Sequence, residues 1–245
     1  QVRGDLSGFA DLPGGGRPVG RTPVRLENYF PFKRNKLSLS LPNFKIMPYE
    51  KPKERRVIFE AGKFYHVYNR AVGAELLFRS DMDYHYFLMK FDRYLEKYTD
   101  IYAYCLMPNH FHLLLRVKEI NLEPELLSKL INRAFSNFFN SYSRSFNEVH
   151  RRRGKLFMLA YKSICVDSDD YLLSLISYIH RNPIHHGFVR DLSHWKHSSY
   201  RILTDSRSSK IKAEEVISLF GAKEDFIRFH KDNKDMRKVG RYLFE

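Results

Sequence analysis

The chain has 245 residues, of which 43% are hydrophobic and 15% aromatic, so it can bury a sizeable core and is not a wholly disordered protein. Its formal net charge of +14 favours a polyanionic partner, with nucleic acid first, although solubility alone is a second explanation. The two distant cysteines argue against a disulfide framework and a cysteine zinc site, and no apolar run is long enough to span a bilayer. We therefore expect a cytoplasmic protein without a membrane partner.

Residues 1–50 differ from the rest of the chain. The segment GFADLPGGGRPVGRTPV is rich in glycine and proline and shows no periodicity. We expect residues 1–50 to form a flexible or non-native extension. An ordered pattern begins near residue 57, which predicts a main domain over residues 57–203 and a helical tail over residues 204–245.

The periodicity of apolar residues predicts the elements of the main domain. Strands are expected at Lys63–Arg70, Ile101–Met107, Phe111–Val117 and Lys155–Val166. Helices are expected at Asp81–Tyr98 with Asp81 as N-cap, at Glu125–Phe146, from Asp167 or Ser168 to a stop near Pro183, and at Ala213–Leu219 and Glu224–His230. This order predicts an α+β fold, an antiparallel sheet with helices packed on one face and a small helical C-terminal appendage.

The segment PNHFH, residues 108–112, carries the first chemical signal. Alternate residues of a strand point to the same face, so His110 and His112 should project together while Phe111 points to the other side. Two neighbouring imidazoles can bind a divalent metal through their neutral nitrogens. The pattern also occurs by chance, in which case the two histidines bind nothing.

The segment SYIHRNP, residues 177–183, carries the second signal. If the helix extends this far, Tyr178 and Asn182 are four residues apart and share one helix face. Each residue also has a structural explanation. Asn182 precedes a proline at a helix end, and Tyr178 could be a half-buried core tyrosine.

Together, PNHFH and YIHRNP resemble the HUH transposases with a single catalytic tyrosine, including the REP-associated tyrosine transposases. FYHVYNR at Phe64–Arg70 and WKHSSY at Trp195–Tyr200 extend the resemblance over residues 63–200. The resemblance implies the ferredoxin-like or RRM-like HUH fold, which agrees with the fold class predicted from periodicity.

The resemblance also implies roles for individual residues. His110 and His112 correspond to the HUH metal ligands, Asn182 to the third ligand and Tyr178 to the nucleophile. The implied cofactor is Mg²⁺ or Mn²⁺. The implied reaction cleaves and rejoins single-stranded or hairpin DNA through a 5′-phosphotyrosine, and the expected assembly is a homodimer or a monomer.

A run of basic residues, HRRRGK, follows the long predicted helix and is suited to DNA phosphates, although it could also be a solvated loop. The candidate DNA contacts are Arg144, Arg151, Arg152, Arg153 and Lys155. Two other functions remain open at this point. The protein could be a domesticated hairpin-binding module without turnover, or a nicking enzyme related to relaxases and replication initiators.

Overall fold

The computed structural model describes residues 58–158, 160–205 and 210–232, and the expected extension at residues 1–50 lies outside them. Four strands form an antiparallel sheet in the order β2-β3-β1-β4. Their bounds are Phe64–Arg70 (β1), Thr99–Met107 (β2), His110–Val117 (β3) and Lys162–Val166 (β4). The central position of β3 explains why most of its residues are buried.

Helices cover this sheet, which confirms the α+β class. The described helices are Asp81–Leu95 (α1), Pro124–Val149 (α2), Asp169–His185 (α3), Tyr200–Asp205 (α4), Ala213–Leu219 (α5) and Lys223–Asp232 (α6). The sequence did not predict α4. None of these described helices is both long and apolar enough to cross a bilayer.

Strand alternation gives the sheet two faces of different character. On one face, the ring of Phe111 lies 5.1 Å from Phe87 of α1 and 5.9 Å from Phe139 of α2, between ring centroids. On the other face, the ring of His112 lies 5.6 Å from Tyr178 of α3. Helices α1 and α2 therefore pack on one face of the sheet, as predicted, whereas α3 lies against the opposite face, which the expectation of helices on one face did not include.

The start of α1 differs from the prediction by one residue. Ser80, not Asp81, is the N-cap, with extended backbone at φ −144°. The carboxylate of Asp83 accepts hydrogen bonds of 2.8 Å from the backbone N–H groups of Ser80 and Arg79. Asp81 lies in the first turn, where its negative charge interacts favourably with the helix dipole.

The fourth strand is shorter than predicted. Residues 156–158 pair instead with the chain that follows β1, through a Val72 N–H bond to Leu156 O of 3.0 Å and a Met158 N–H bond to Arg70 O of 2.9 Å. Only Lys162–Val166 pairs with β1 itself. The predicted strand Lys155–Val166 therefore divides into two short pairing segments.

Helix α3 begins as predicted and ends later. Ser168 caps it by accepting a hydrogen bond from Tyr171 N–H. The prediction that Pro183 stops the helix is wrong, because Pro183 lies inside the helix. In the last turn a proline removes only one helical hydrogen bond, and His186 N–H still donates to Asn182 O at 3.0 Å. Gly187, at φ +72°, follows the helix end in the left-handed region that favours glycine.

The predicted C-terminal helices are present, and α6 packs directly against α3. His180 Nδ1 of α3 lies 2.8 Å from His230 Nε2 of α6, and His180 Nε2 lies 2.7 Å from Ser199 Oγ. His230 Nδ1–H donates to Phe226 O at 2.8 Å. Since both histidines are fully buried, the expected appendage forms part of the same core.

This buried pair makes stability depend on pH. Burial lowers the pKa of His230 to about 4, whereas the unfolded chain binds the proton near pH 6.5. Because the unfolded state takes up more protons below pH 6.5, His230 by itself should lower the free energy of unfolding by about 2 kcal/mol between pH 7 and pH 5. Urea titrations at both pH values measure it.

The control separates His230 from the other histidines. His230→Gln should reduce the loss of stability between pH 7 and pH 5, whereas His85→Gln, at an exposed position of α1, should leave it unchanged. Equal pH dependence in His230→Gln and the wild type would contradict the prediction.

Candidate active site

The two predicted metal ligands lie at the start of β3. Pro108 and Asn109 form the turn between β2 and β3, as the sequence predicted. Phe111 is buried in the core below the sheet, so His110 and His112 are held on the opposite face. Their ring centroids are 5.3 Å apart, with the rings nearly perpendicular.

Helix α3 brings the other two predicted residues to this face. Asn182 Oδ1 lies 3.3 Å from His110 Nε2. Asn182 Nδ2–H donates to Tyr178 O at 3.4 Å, one helical turn earlier. Tyr178 is 8% exposed, and its ring makes an edge contact with His112. All four residues predicted from the two motifs therefore lie together.

The hydrogen bonds of His110 define which ring nitrogen could bind a metal. Its Nδ1 lies 2.8 Å from Asn109 Oδ1, which can only accept, so Nδ1–H is the donor. In a neutral ring Nε2 then carries a lone pair, and it faces Asn182 Oδ1, which is also an acceptor. A cation bound between two converging acceptors would interact favourably with both.

This set of donors could hold a divalent cation. No group of three or more His, Cys, Asp or Glu side chains in the described parts of the chain could hold a metal. The candidate set instead joins two imidazoles to the carboxamide of Asn182. Octahedral ligands at about 2.1 Å from the metal are about 3.0 Å apart when adjacent, close to the 3.3 Å between His110 Nε2 and Asn182 Oδ1. The carboxamide oxygen suits Mg²⁺ or Mn²⁺, whereas the two imidazoles also suit transition metals such as Zn²⁺ and Fe²⁺.

A third histidine, which the sequence analysis did not identify as a site residue, positions His112. His66 Nε2 of β1 lies 3.0 Å from His112 Nδ1, and both rings are buried. If His112 binds metal through Nε2, its Nδ1–H must donate to His66 Nε2, which fixes the ring orientation. In FYHVYNR, His66 and Tyr68 are two residues apart and therefore share one face of β1. Only the pairing of β1 with β3 places His66 beside His112.

Three further residues surround the four. The ring of His185 lies 6.0 Å from Tyr178, and the ring of His186 lies 4.8 Å from His110. Arg70, exposed at the end of β1, pairs in register with His110. This end of the sheet therefore presents a cation and several imidazoles to an incoming ligand.

The predicted DNA-contacting cations fall into two groups. Four are exposed: Arg144, Arg151, Arg153 and Lys155. Arg152 instead turns inward, where its guanidinium donates to Asn147 Oδ1 at 2.9 Å and lies 3.1 Å from Glu75 Oε1. It also donates to the Gly154 carbonyl and holds the loop in shape. We therefore do not include Arg152 among the proposed DNA contacts.

The position of this loop places it towards the end of the sheet that carries the histidines. Residues 156–158, which follow the loop, pair with the chain directly after Arg70. Because Arg70 is in register with His110, the basic loop lies towards the same end of the sheet as the candidate site.

Part of the chain matches a known protein family. Residues 65–182 match the model of the family described as Transposase IS200 like. This part of the chain is therefore similar to the IS200-like transposases. The matched segment contains His110, His112, Tyr178 and Asn182, so the motif resemblance noted in the sequence is confirmed at the level of the family.

Two individual proteins are similar to the chain. A Haemophilus influenzae protein described as a REP-associated tyrosine transposase is 25% identical over 100 residues, which cover 40% of this chain and 57% of that protein. The chain thus spans just over half of that relative's length. A solved structure of a REP-associated tyrosine transposase bound to a REP hairpin is 17% identical, with a TM-score of 0.47, and the match covers 64% of this chain and 87% of that chain.

The contact between His66 and His112 leads to a prediction. His66→Leu removes the hydrogen-bond acceptor that orients His112, so the affinity for Mn²⁺ should fall by roughly 10- to 100-fold. Electron paramagnetic resonance of free Mn²⁺ during a titration measures this affinity directly. His66→Gln keeps an acceptor and should lose less. Unchanged Mn²⁺ binding in a folded His66→Leu variant would contradict the positioning role.

Proposed function

We propose that the protein is a DNA transposase that cleaves and rejoins single-stranded DNA. Tyr178 acts as the nucleophile, and His110, His112 and Asn182 hold a divalent metal, Mg²⁺ or Mn²⁺. The observation that carries the proposal is the contact between α3 and β3. The face of α3 that bears the Tyr178 phenol and the Asn182 carboxamide meets the face of β3 that bears the two imidazoles. The match of residues 65–182 to the IS200-like family model supports the transposase class.

The proposed cleavage step replaces one bond to phosphorus by another and moves one proton. Tyr178 Oη forms a bond to phosphorus, and the bond from phosphorus to the 3′-oxygen breaks. The phenol loses one proton, and the departing 3′-oxygen takes one up. The products are a 5′-phosphotyrosine and a free 3′-hydroxyl. When bound, the metal would supply positive charge to the phosphate oxygens, where negative charge develops.

The second step restores the enzyme. The phosphotyrosine ester keeps the free energy of the broken phosphodiester, so a 3′-hydroxyl of another strand can attack it without ATP. Tyr178 then takes back its proton and leaves. Cleavage and joining thus use one nucleophile in one site, which is consistent with the single tyrosine among the four residues.

Single-stranded or hairpin DNA is the substrate that suits the site best. Tyr178 is almost fully buried, so the target phosphate must enter a narrow space, which favours an unpaired strand over a duplex. The net charge of +14 and the exposed Arg151 and Arg153 supply the attraction to phosphates. A paired hairpin stem could lie along this exposed basic surface while its unpaired flank enters the site.

The nucleophile assignment predicts a covalent adduct. With Mn²⁺ and 3′-labelled single-stranded oligonucleotides copied from the DNA flanking the gene, the wild type should form a product of reduced mobility on denaturing gels. Tyr178→Phe should abolish this adduct, because it lacks the attacking oxygen. Tyr171→Phe is the matched control, since Tyr171 is equally buried on the same helix and should not be required.

Each result separates the proposed function from its alternatives. An adduct that persists in Tyr178→Phe would exclude Tyr178 as the nucleophile. Tight hairpin binding by the wild type, with no adduct on any flanking sequence, would instead support a binding module without turnover.

The basic loop predicts how binding depends on salt. Replacing Arg151 and Arg153 together by glutamine should lower the slope of log affinity against log salt by about 1.4, because each phosphate contact of a single strand contributes about 0.7. Fluorescence anisotropy between 50 and 200 mM salt measures the slope. Arg228→Gln, at an exposed position of α6, is the control. If both variants keep the wild-type slope, the loop does not contact DNA.

A further inference from the structure

A cavity of about 360 Å³ lies beside the candidate site, and none of the four proposed catalytic and metal-binding residues lines it. Its walls come from the start of α1 and from the segment that follows α3. Among the lining residues are Arg79, Tyr84, Val189, Trp195 and Lys196. The cavity is thus lined by aromatic rings and by side chains that carry positive charge.

Two partly exposed aromatic side chains lie in or next to this cavity: Trp195 lines it, and Phe188 is adjacent in sequence to a lining residue. Trp195 is half-buried, and its Nε1–H donates to Leu106 O of β2 at 3.2 Å, which fixes the indole ring. Phe188 precedes the lining residue Val189, is 38% exposed and lies 5.5 Å from Trp195 between ring centroids. Fixed aromatic rings next to cations are the features that bind unpaired bases, because every base presents an apolar face and an adjacent phosphate.

The two cations at the cavity can leave their carboxylate partners and bind a phosphate instead. Lys196 Nζ lies 2.6 Å from Asp81 Oδ2, and both side chains are more than half exposed. Arg79 contacts Glu75 at 3.3 Å, and these two side chains are 39% and 36% exposed. Exposed ion pairs contribute little free energy, so either cation can turn to a phosphate without a large loss. Asp81 is the one carboxylate in the wall and would face away from a bound phosphate.

Elements shared with the candidate site place the cavity within reach of one DNA strand. Phe78, in the cavity wall, donates its N–H to Pro108 O at 3.1 Å, two residues before His110. Phe188 follows His186 by two residues, and the His186 ring contacts the His110 ring. A strand with one phosphate at Tyr178 can therefore place a neighbouring nucleotide at the cavity.

We propose that this cavity binds an unpaired base next to the cleaved phosphate, with the base stacked on Trp195 and Phe188 and its phosphate held by Lys196 or Arg79. The ligand class is single-stranded DNA. The inference deepens the proposed function and rests on it for the direction of the strand. It adds a site that grips the substrate separately from the residues that carry out the reaction.

Trp195 is the only tryptophan of the chain, so its fluorescence reports on the cavity alone. Titration of the full chain with a short unpaired oligodeoxynucleotide should quench this emission and saturate. Phe188→Ala should weaken binding by about 5- to 100-fold, the range expected for one stacked base. Phe188→Tyr keeps a ring and should bind like the wild type. Leu219→Ala, at a position of almost equal exposure on α5, should also leave the affinity unchanged.

The measurements distinguish this proposal from the proposed function. Affinities are measured by the anisotropy of a labelled oligonucleotide, in the Tyr178→Phe background, so that no covalent step contributes. Saturated binding without a change in Trp195 emission, or equal affinities for Phe188→Ala and Leu219→Ala, would overturn the cavity even if the wild type forms the adduct. Quenching of Trp195 and weaker binding by Phe188→Ala, together with no adduct in the wild type, would support the cavity and reject the cleavage reaction. If Phe188→Ala does not fold, Phe188→Leu removes the ring but keeps apolar bulk and makes the same distinction.

Discussion

The alternation of β3 is the constraint on which the candidate site depends. Phe111 packs between α1 and α2, so the residues on either side of it, His110 and His112, must face the other way. A shift of one residue in the register would bury the histidines among phenylalanines and expose Phe111. Because β3 is paired with β2 and β1 on its two sides, such a shift would also break the hydrogen bonds of both ladders. The core thereby fixes the orientation of the candidate ligands.

The helix that faces these histidines is held equally firmly. His180 lies on α3 between Tyr178 and Asn182, but it points away from them, towards Ser199 and His230. Arg181 adds a hydrogen bond of 2.8 Å to His230 O. Buried polar groups that are all paired in this way rigidify the elements they join. Helix α6, although distant in the sequence, therefore helps to support the helix that carries the proposed nucleophile.

The net charge of the chain does not identify the arginines that are available to a ligand. The basic excess predicts a polyanion-binding class, but it does not tell which arginines are available. Arg152 stabilises its own loop, and its neighbour Arg151 adopts φ 49° in the left-handed region. That conformation costs a non-glycine residue about 1 kcal/mol. The inward contacts of Arg152 can offset this conformational free energy. The loop then presents Arg151 and Arg153 to solvent.

The sequence by itself determined the fold class, nearly every helix and strand, and the four residues of the candidate site. It could do so because strand and helix periodicities act over a few residues, and because the resemblance of the two motifs to the HUH transposases singled out residues whose HxH and YxxxN spacing places them on one face. It misplaced the end of α3 and the extent of β4, since both depend on contacts with distant chain segments. Only the tertiary structure brought His66 to His112, His230 to His180 and Phe188 to Trp195. Strand register and helix packing create those pairs, and neither leaves a local pattern in the chain.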